Sequence, residues 1–346
     1  MGDRYRLPVV DSPEPSWTLD QGLSFSGFDL WLRCKEQFRL SYIQGWKPVE
    51  QQDGALYFGS IMHKLIEDRP NGGNLRELED SMNTVTTTLA DANILKAKAA
   101  AVYRVYETKH EVHTEDRIDC GAEKRFHYNY GFKCNGKNYD VPLMGFIDCV
   151  YRSDKRGNIG IRETKTRSQM DLDNTTVALV ADLQVNSYFL ACEQELGKFP
   201  TELIYDLVKK PGHEPLSANT KRDKEGLHDF HNRVFDAVNN DPESFLVRIK
   251  YRRSLAEFNN WRQQVLEPHL AEFVEWYRKC EKAKWKQVNP YNPSALVGKY
   301  GLCKLFHLVV SGDVSGLTKR DNRRGESKRE EASERVSARR PNRAKR

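Results

Sequence analysis

Long apolar runs are missing from this chain of 346 residues. No stretch approaches the roughly 18 consecutive apolar residues that a membrane-spanning helix needs, so such a span is excluded. The first residues, MGDRYRLPVV, contain no apolar leader core, and Arg6 stands where a myristoylation signal wants Ser or Thr. Neither export nor a lipid anchor is therefore expected. Cysteine is sparse: seven residues, at positions 34, 120, 134, 149, 192, 280 and 303, with no Cys-x-x-Cys spacing. That pattern speaks against a zinc ribbon or a disulfide framework and points to a reducing cytoplasm. No Gly-x-x-x-x-Gly-Lys-Ser/Thr loop occurs, so no ATP site is expected, and no Gly-x-Ser-x-Gly elbow suggests a serine hydrolase. The chain has no internal repeat.

What is present is a globular composition, 38% hydrophobic and 30% charged, with a formal net charge of +6. The charge is unevenly spread. Residues 318–346 hold 12 Lys or Arg against 5 Asp or Glu, while the other 317 residues hold 43 against 44. A tail so poor in apolar residues cannot bury enough surface to offset its ordering entropy, so disorder is expected there. Such a tail either attracts phosphates at a distance or simply keeps the end of the chain solvated.

Periodicity divides the remainder. Helical spacing of apolar residues runs over 23–42, over 59–66 and over 75–110. The period then falls to two. Strands are expected at 123–132 and 138–151, joined at Asn135-Gly136, a strong hairpin signal. A polar turn at 153–158 leads to a strand over 159–166, a helix over 174–196 and a strand over 201–209. A meander followed by a crossover implies an α/β fold with a mixed sheet and helices packed on it. Beyond 210 the chain reads as mainly helical. Trp31, Trp46, Trp261, Trp276 and Trp285 read as core residues, with base stacking as the alternative.

One segment carries chemistry. Gly145 to Asp148 reads GFID, and after a turn Arg162 to Lys165 reads RETK. Glu163 and Lys165 are two apart on a strand and project to one face. The turn centre near Lys155 and Arg156 brings Asp148 roughly opposite Glu163. Two carboxylates side by side repel, and a hard divalent cation held through oxygen is the usual compensation. Such a cation activates water and stabilises charge on a phosphoryl oxygen, with the lysine orienting that water. The alternative for a bare Asp…Glu-x-Lys trio is an ordinary ion-paired surface strand.

The neighbouring motifs decide between these. SFSGFDLWLRCKEQFRL (residues 24–40), FGSIMHKLIE (58–67), GFID with ETK, and QVNSY (184–188) follow one another with the order and spacing of the PD-(D/E)XK nuclease superfamily, and resemble its RecB-like exonuclease branch in particular. The resemblance spans roughly 23–208. It implies a restriction-endonuclease-like core, a mixed central sheet flanked by helices, with an α-helical C-terminal extension. It divides the chain into an arm at 1–22, a nuclease core at 23–210, a helical extension at 211–317 and the basic tail at 318–346. It also assigns roles. Asp148 and Glu163 become metal ligands together with the Thr164 carbonyl, Lys165 the catalytic lysine, and His63 a further ligand. Gln184 and Tyr188, one helical turn apart, become DNA contacts or supports for the lysine, and Glu123 an acid on the first core strand. Alone, His63 reads as a partly buried helix histidine, and Tyr188 as core beside an exposed Gln184.

The implied reaction is Mg²⁺- or Mn²⁺-dependent hydrolysis of DNA, with an exonuclease of recombination, repair or phage DNA metabolism as the expected subtype and a single-strand annealing protein as a possible partner. A non-catalytic DNA-binding module or adaptor is the alternative. Some relatives hold an iron–sulfur cluster on four cysteines. Here only Cys34 and Cys303 match, Ala295 stands where another is expected, and Cys280 lies too far upstream. No intact cluster is expected, since four thiolates are the usual requirement.

Overall fold

The computed structural model describes residues 14–49, 54–68, 90–110, 124–153, 157–216, 225–298 and 301–320. Glu123 and residues 321–346 of the basic tail lie outside them. Among the described residues no helix is long and apolar enough to cross a membrane. The chain divides into two compact units, one gathering the described parts of 1–51, 130–142 and 267–346, the other those of 52–129 and 143–266.

The second of these contains the central sheet. A long hairpin of β1 (Lys124–Cys134) and β2 (Lys137–Ile147) turns at Asn135 and Gly136, both with positive φ, as the Asn-Gly pair predicts. The base of this hairpin belongs to the sheet-bearing unit and its outer part to the other. In the base, the Phe126 ring lies against Gly145, where a Cβ would come within 2.5 Å of it. Past a bend at Asp148 the chain continues as β3 (Cys149–Arg152), β4 (Ile159–Arg167), β5 (Glu202–Lys209) and β6 (Leu246–Tyr251), in that spatial order. β3 and β4 are antiparallel, β4 and β5 parallel, β5 and β6 antiparallel. The sheet is thus mixed, as the meander and crossover imply. β6 falls in the stretch read from sequence as mainly helical. Its six residues alternate with Arg248 and Lys250, and its place at the end of the sheet is fixed by Arg248, which clasps the buried Asp206 carboxylate through two hydrogen bonds of 2.7 Å.

Helices cover the sheet. α1 (Gly54–Asp68), α2 (Ala90–His110) and α5 (Leu227–Asn240) share one apolar cluster with Val208 of β5, built on Phe58, Met62, Val102, Tyr106, Phe230 and Val234. On this side the Tyr106 hydroxyl donates to Asp206 at 2.6 Å. The crossover between β4 and β5 contains α3 (Leu172–Leu179) and α4 (Leu183–Leu196), where one helix was expected over 174–196. The break is local chemistry: Asp182 caps α4 by accepting from the Val185 amide at 2.8 Å. Asn186 and Arg253 both donate to the Val180 carbonyl, at 3.2 and 3.1 Å, and so latch the turn.

The other unit is held by aromatic packing. Phe28, Trp31 and Phe38, from the helices Phe25–Arg33 and Lys35–Phe38, pack edge-on against Phe273 and Trp276 of the helix Glu267–Lys282. Trp31, Trp276 and Trp285 are buried here, and Trp261 is buried in the sheet-bearing unit; Trp46 is half-buried under the Lys319 ammonium. Beneath the aromatics, Arg39 and Glu36 form a buried ion pair through hydrogen bonds of 2.8 and 2.6 Å. Tyr130 and Tyr139 of the outer hairpin donate to Glu267 and Glu275 of the same helix. Leu317–Lys319 pair antiparallel with Trp46–Pro48, so the first residues counted with the basic tail form a strand. Cys34 Sγ accepts from the amides of Gln37 and Asn292 at 3.4 Å, and Cys303 Sγ lies 3.0 Å from the Tyr291 hydroxyl.

Candidate active site

β4 organises the site. Along it, Glu163, Lys165 and Arg167 face one side of the sheet and Arg162, Thr164 and Thr166 the other. The ladder pairs Cys149 with Arg162, so Asp148 stands one step beyond it, opposite Glu163. Because Asp148 lies at the bend between β2 and β3, it has no ladder partner, and its Oδ2 instead accepts the Thr164 amide at 2.8 Å. The same oxygen lies 3.4 Å from His63 Nδ1 on α1. α1 comes that close because Gly59 has no side chain: a Cβ there would stand 2.8 Å from the Thr166 hydroxyl.

Glu163 is fully buried, and neither of its oxygens accepts a hydrogen bond of normal geometry. Its Oε1 meets the Lys165 ammonium. Burial, and next the neighbouring Asp148 charge, push the Glu163 carboxyl well above the ordinary range, with Lys165 opposing. Burial disfavours the Lys165 ammonium, but Glu163 and then Asp148 outweigh that, so its pKa is raised and the lysine stays charged at neutral pH. The side chains of Lys165, Asp148 and His63 keep 28%, 14% and 30% exposure, so the rim is open to solvent while Glu163 is sealed.

Tyr188 and Gln184 lie on α4. Gln184 Nε2 donates to the Tyr188 hydroxyl at 2.5 Å. Burial, and then the Glu163 and Asp148 charges, raise the Tyr188 pKa, so a neutral phenol faces the carboxylates. The structure therefore gathers His63, Asp148, Glu163, Thr164, Lys165, Gln184 and Tyr188 around one strand. Tyr205, unnoticed in the sequence, stands opposite Glu163 in the parallel register on the same sheet face. Only that register reveals it, because a parallel crossover gives no loop length from which to count.

The donor set suits a hard cation. Two carboxylates face a single ammonium, and a buried carboxylate without well-formed hydrogen bonds costs several kcal/mol unless a positive charge compensates it. Oxygen ligands of this kind favour Mg²⁺ or Mn²⁺ over softer metals. Among the described residues no three His, Cys, Asp or Glu side chains already stand in metal-holding geometry.

The sequence pattern of the PD-(D/E)XK nuclease superfamily matches residues 22–273, well over half of the chain. No curated protein matches it.

Proposed function

The chain belongs to the PD-(D/E)XK nuclease superfamily, and from that premise we propose that it is a divalent-metal-dependent deoxyribonuclease whose centre is Asp148, Glu163 and Lys165. The observation that carries this reading is the buried Glu163 carboxylate, set opposite Asp148 and beside Lys165 on one sheet face. Asp148, Glu163 and the Thr164 carbonyl would hold Mg²⁺ or Mn²⁺, with His63 at the edge of the set. A cation there supplies Lewis acidity toward the phosphoryl oxygens and activates water.

The chain's own groups do the rest. Lys165, held charged by Glu163, orients the attacking water and donates toward the phosphoryl oxygen as negative charge builds. Tyr188, fixed by Gln184, limits where the Glu163 carboxylate can move and keeps water off its inner side. The Thr164 amide holds Asp148 in place. By resemblance to the RecB-like branch, the enzyme is an exonuclease of recombination or repair; the compact size and missing ATP motif suit phage DNA metabolism beside a single-strand annealing protein, and the cysteine usage suits the cytoplasm.

The test is nucleotide release from linear DNA with and without Mg²⁺. Lys165→Ala should lower the rate about 10²- to 10³-fold, the scale of losing one preorganised donor, when assayed well below its melting temperature, which should itself fall because the buried Glu163 loses its counter-charge. Equal rates for wild type and Lys165→Ala would remove the assignment. DNA binding without Mg²⁺-dependent release by the wild type would turn the reading to a non-catalytic DNA-binding module.

A further inference from the structure

Arg167 ends β4 on the face that carries Glu163 and Lys165. It is one i+2 step past the lysine, about 6–7 Å along the strand. Its root is fixed, since the Arg167 carbonyl accepts the Lys210 amide at 2.8 Å and the residue pairs with Lys209 in the parallel ladder. Its tip is not. The side chain is exposed, and among the described residues it has no hydrogen bond, ion pair or ring contact. The other arginines of β4, β6 and the following helix are all engaged. Arg248 clasps Asp206, Arg253 binds Asn186 and the Val180 carbonyl, Arg262 pairs with Glu193, and Arg162 is fully buried with partners. The charge of Arg167 is felt at the Tyr205 hydroxyl, on the residue opposite Glu163.

An unpaired guanidinium on a fixed strand end, one short step from the reacting centre, matches the spacing of successive phosphates along a polynucleotide. Arginine suits that ligand, because its planar fork donates two parallel hydrogen bonds to phosphate oxygens. We propose that Arg167 binds the phosphate next to the scissile one, so that the preferred substrate is a strand with a phosphate flanking the cleaved bond rather than an isolated phosphodiester. The proposal rests on the nuclease reading for the position of the scissile bond.

The experiment compares wild type with Arg167→Gln on three substrates: a dinucleotide with one phosphodiester, the same with a phosphate at the 5′ end, and the same with a phosphate at the 3′ end. For wild type, one of the end phosphates should raise kcat/KM about 10- to 100-fold, the scale of a hydrogen-bonded charge pair. In Arg167→Gln that advantage should vanish while the bare dinucleotide is cleaved at the wild-type rate. A second arm measures anisotropy of a labelled single-stranded oligonucleotide in EDTA over a range of salt. The slope of log affinity against log salt should be shallower by about 0.7 in Arg167→Gln, one phosphate contact on single-stranded DNA, and restored by Arg167→Lys. If Arg167→Gln keeps both the end-phosphate advantage and the full slope, the proposal is overturned. A wild type that cleaves nothing, paired with a shallower slope in Arg167→Gln, would sink the nuclease reading and leave the phosphate contact standing.

Discussion

Glu163 and Lys165 are joined by an attraction that is also a liability. The carboxylate is sealed from water, beside a second carboxylate, and the lysine, with the Tyr188 hydroxyl after it, offsets that. Replacing Glu163 by Gln removes the charge without changing shape. The attraction to Lys165 is lost, but so are the burial penalty and the repulsion from Asp148. These opposing changes should nearly cancel, giving a stability change under about 1 kcal/mol in urea melts, while Mg²⁺-dependent cleavage disappears. A large drop in stability would instead make Glu163 a structural ion-pair partner. His110, at the end of α2, gives a clean pH handle. Burial pushes its imidazole down to about 4, and its Nε2 is buried with no hydrogen-bond partner among the described residues. The unfolded chain takes up this proton near pH 6.5 and the folded one near 4. The stability it contributes is therefore complete above 6.5 and drains away as pH falls to 4. Between those values the wild type should lose about 1–3 kcal/mol more than His110→Gln, allowing for partial solvent screening. Urea midpoints at pH 7 and pH 4.5 measure the difference.

At the scale of elements, the approach of α1 to β4 depends on one missing methyl group. Gly59→Ala gains about 0.5–1 kcal/mol of helix propensity, but its Cβ would meet Thr166 Oγ1 at 2.8 Å. Overpacking typically costs about 1–3 kcal/mol, so the clash outweighs the propensity. Gly59→Ala should melt earlier and shift His63 away from Asp148. The double variant with Thr166→Ala should melt at or above the wild type; failure to recover would mean the close approach is set elsewhere. The strands of the site were legible because alternation and Asn135-Gly136 fix their register locally. Asp148 could be counted opposite Glu163 from the turn length alone. The place of His63 and Tyr188 beside that pair came only from family likeness, because nothing local ties α1 or α4 to β4. The strand Leu246–Tyr251 was missed for a related reason. It is short, lies between helices, and exists because a buried Asp206 forty residues earlier needs Arg248.

For the whole molecule, charge and chain path matter most. All of the excess positive charge lies in 318–346, later in the chain than every strand of the sheet. Deleting residues 321–346 should leave cleavage at low salt intact and weaken DNA affinity, with a shallower salt dependence. Anisotropy titrations at several salt concentrations would check this, and an unchanged slope would reduce the tail to a solubilising role.

The division into units is not a division of the sequence. Every described residue of the sheet-bearing unit precedes position 267, whereas Phe28, Trp31 and Phe38 complete their aromatic packing on Phe273 and Trp276. During synthesis the nuclease strands can therefore complete their pairing while the earliest helices still wait with a bare aromatic face. That interval, which ends when the codons past 266 have been translated and have cleared the ribosome, is when a nascent chain of this protein would most need a chaperone.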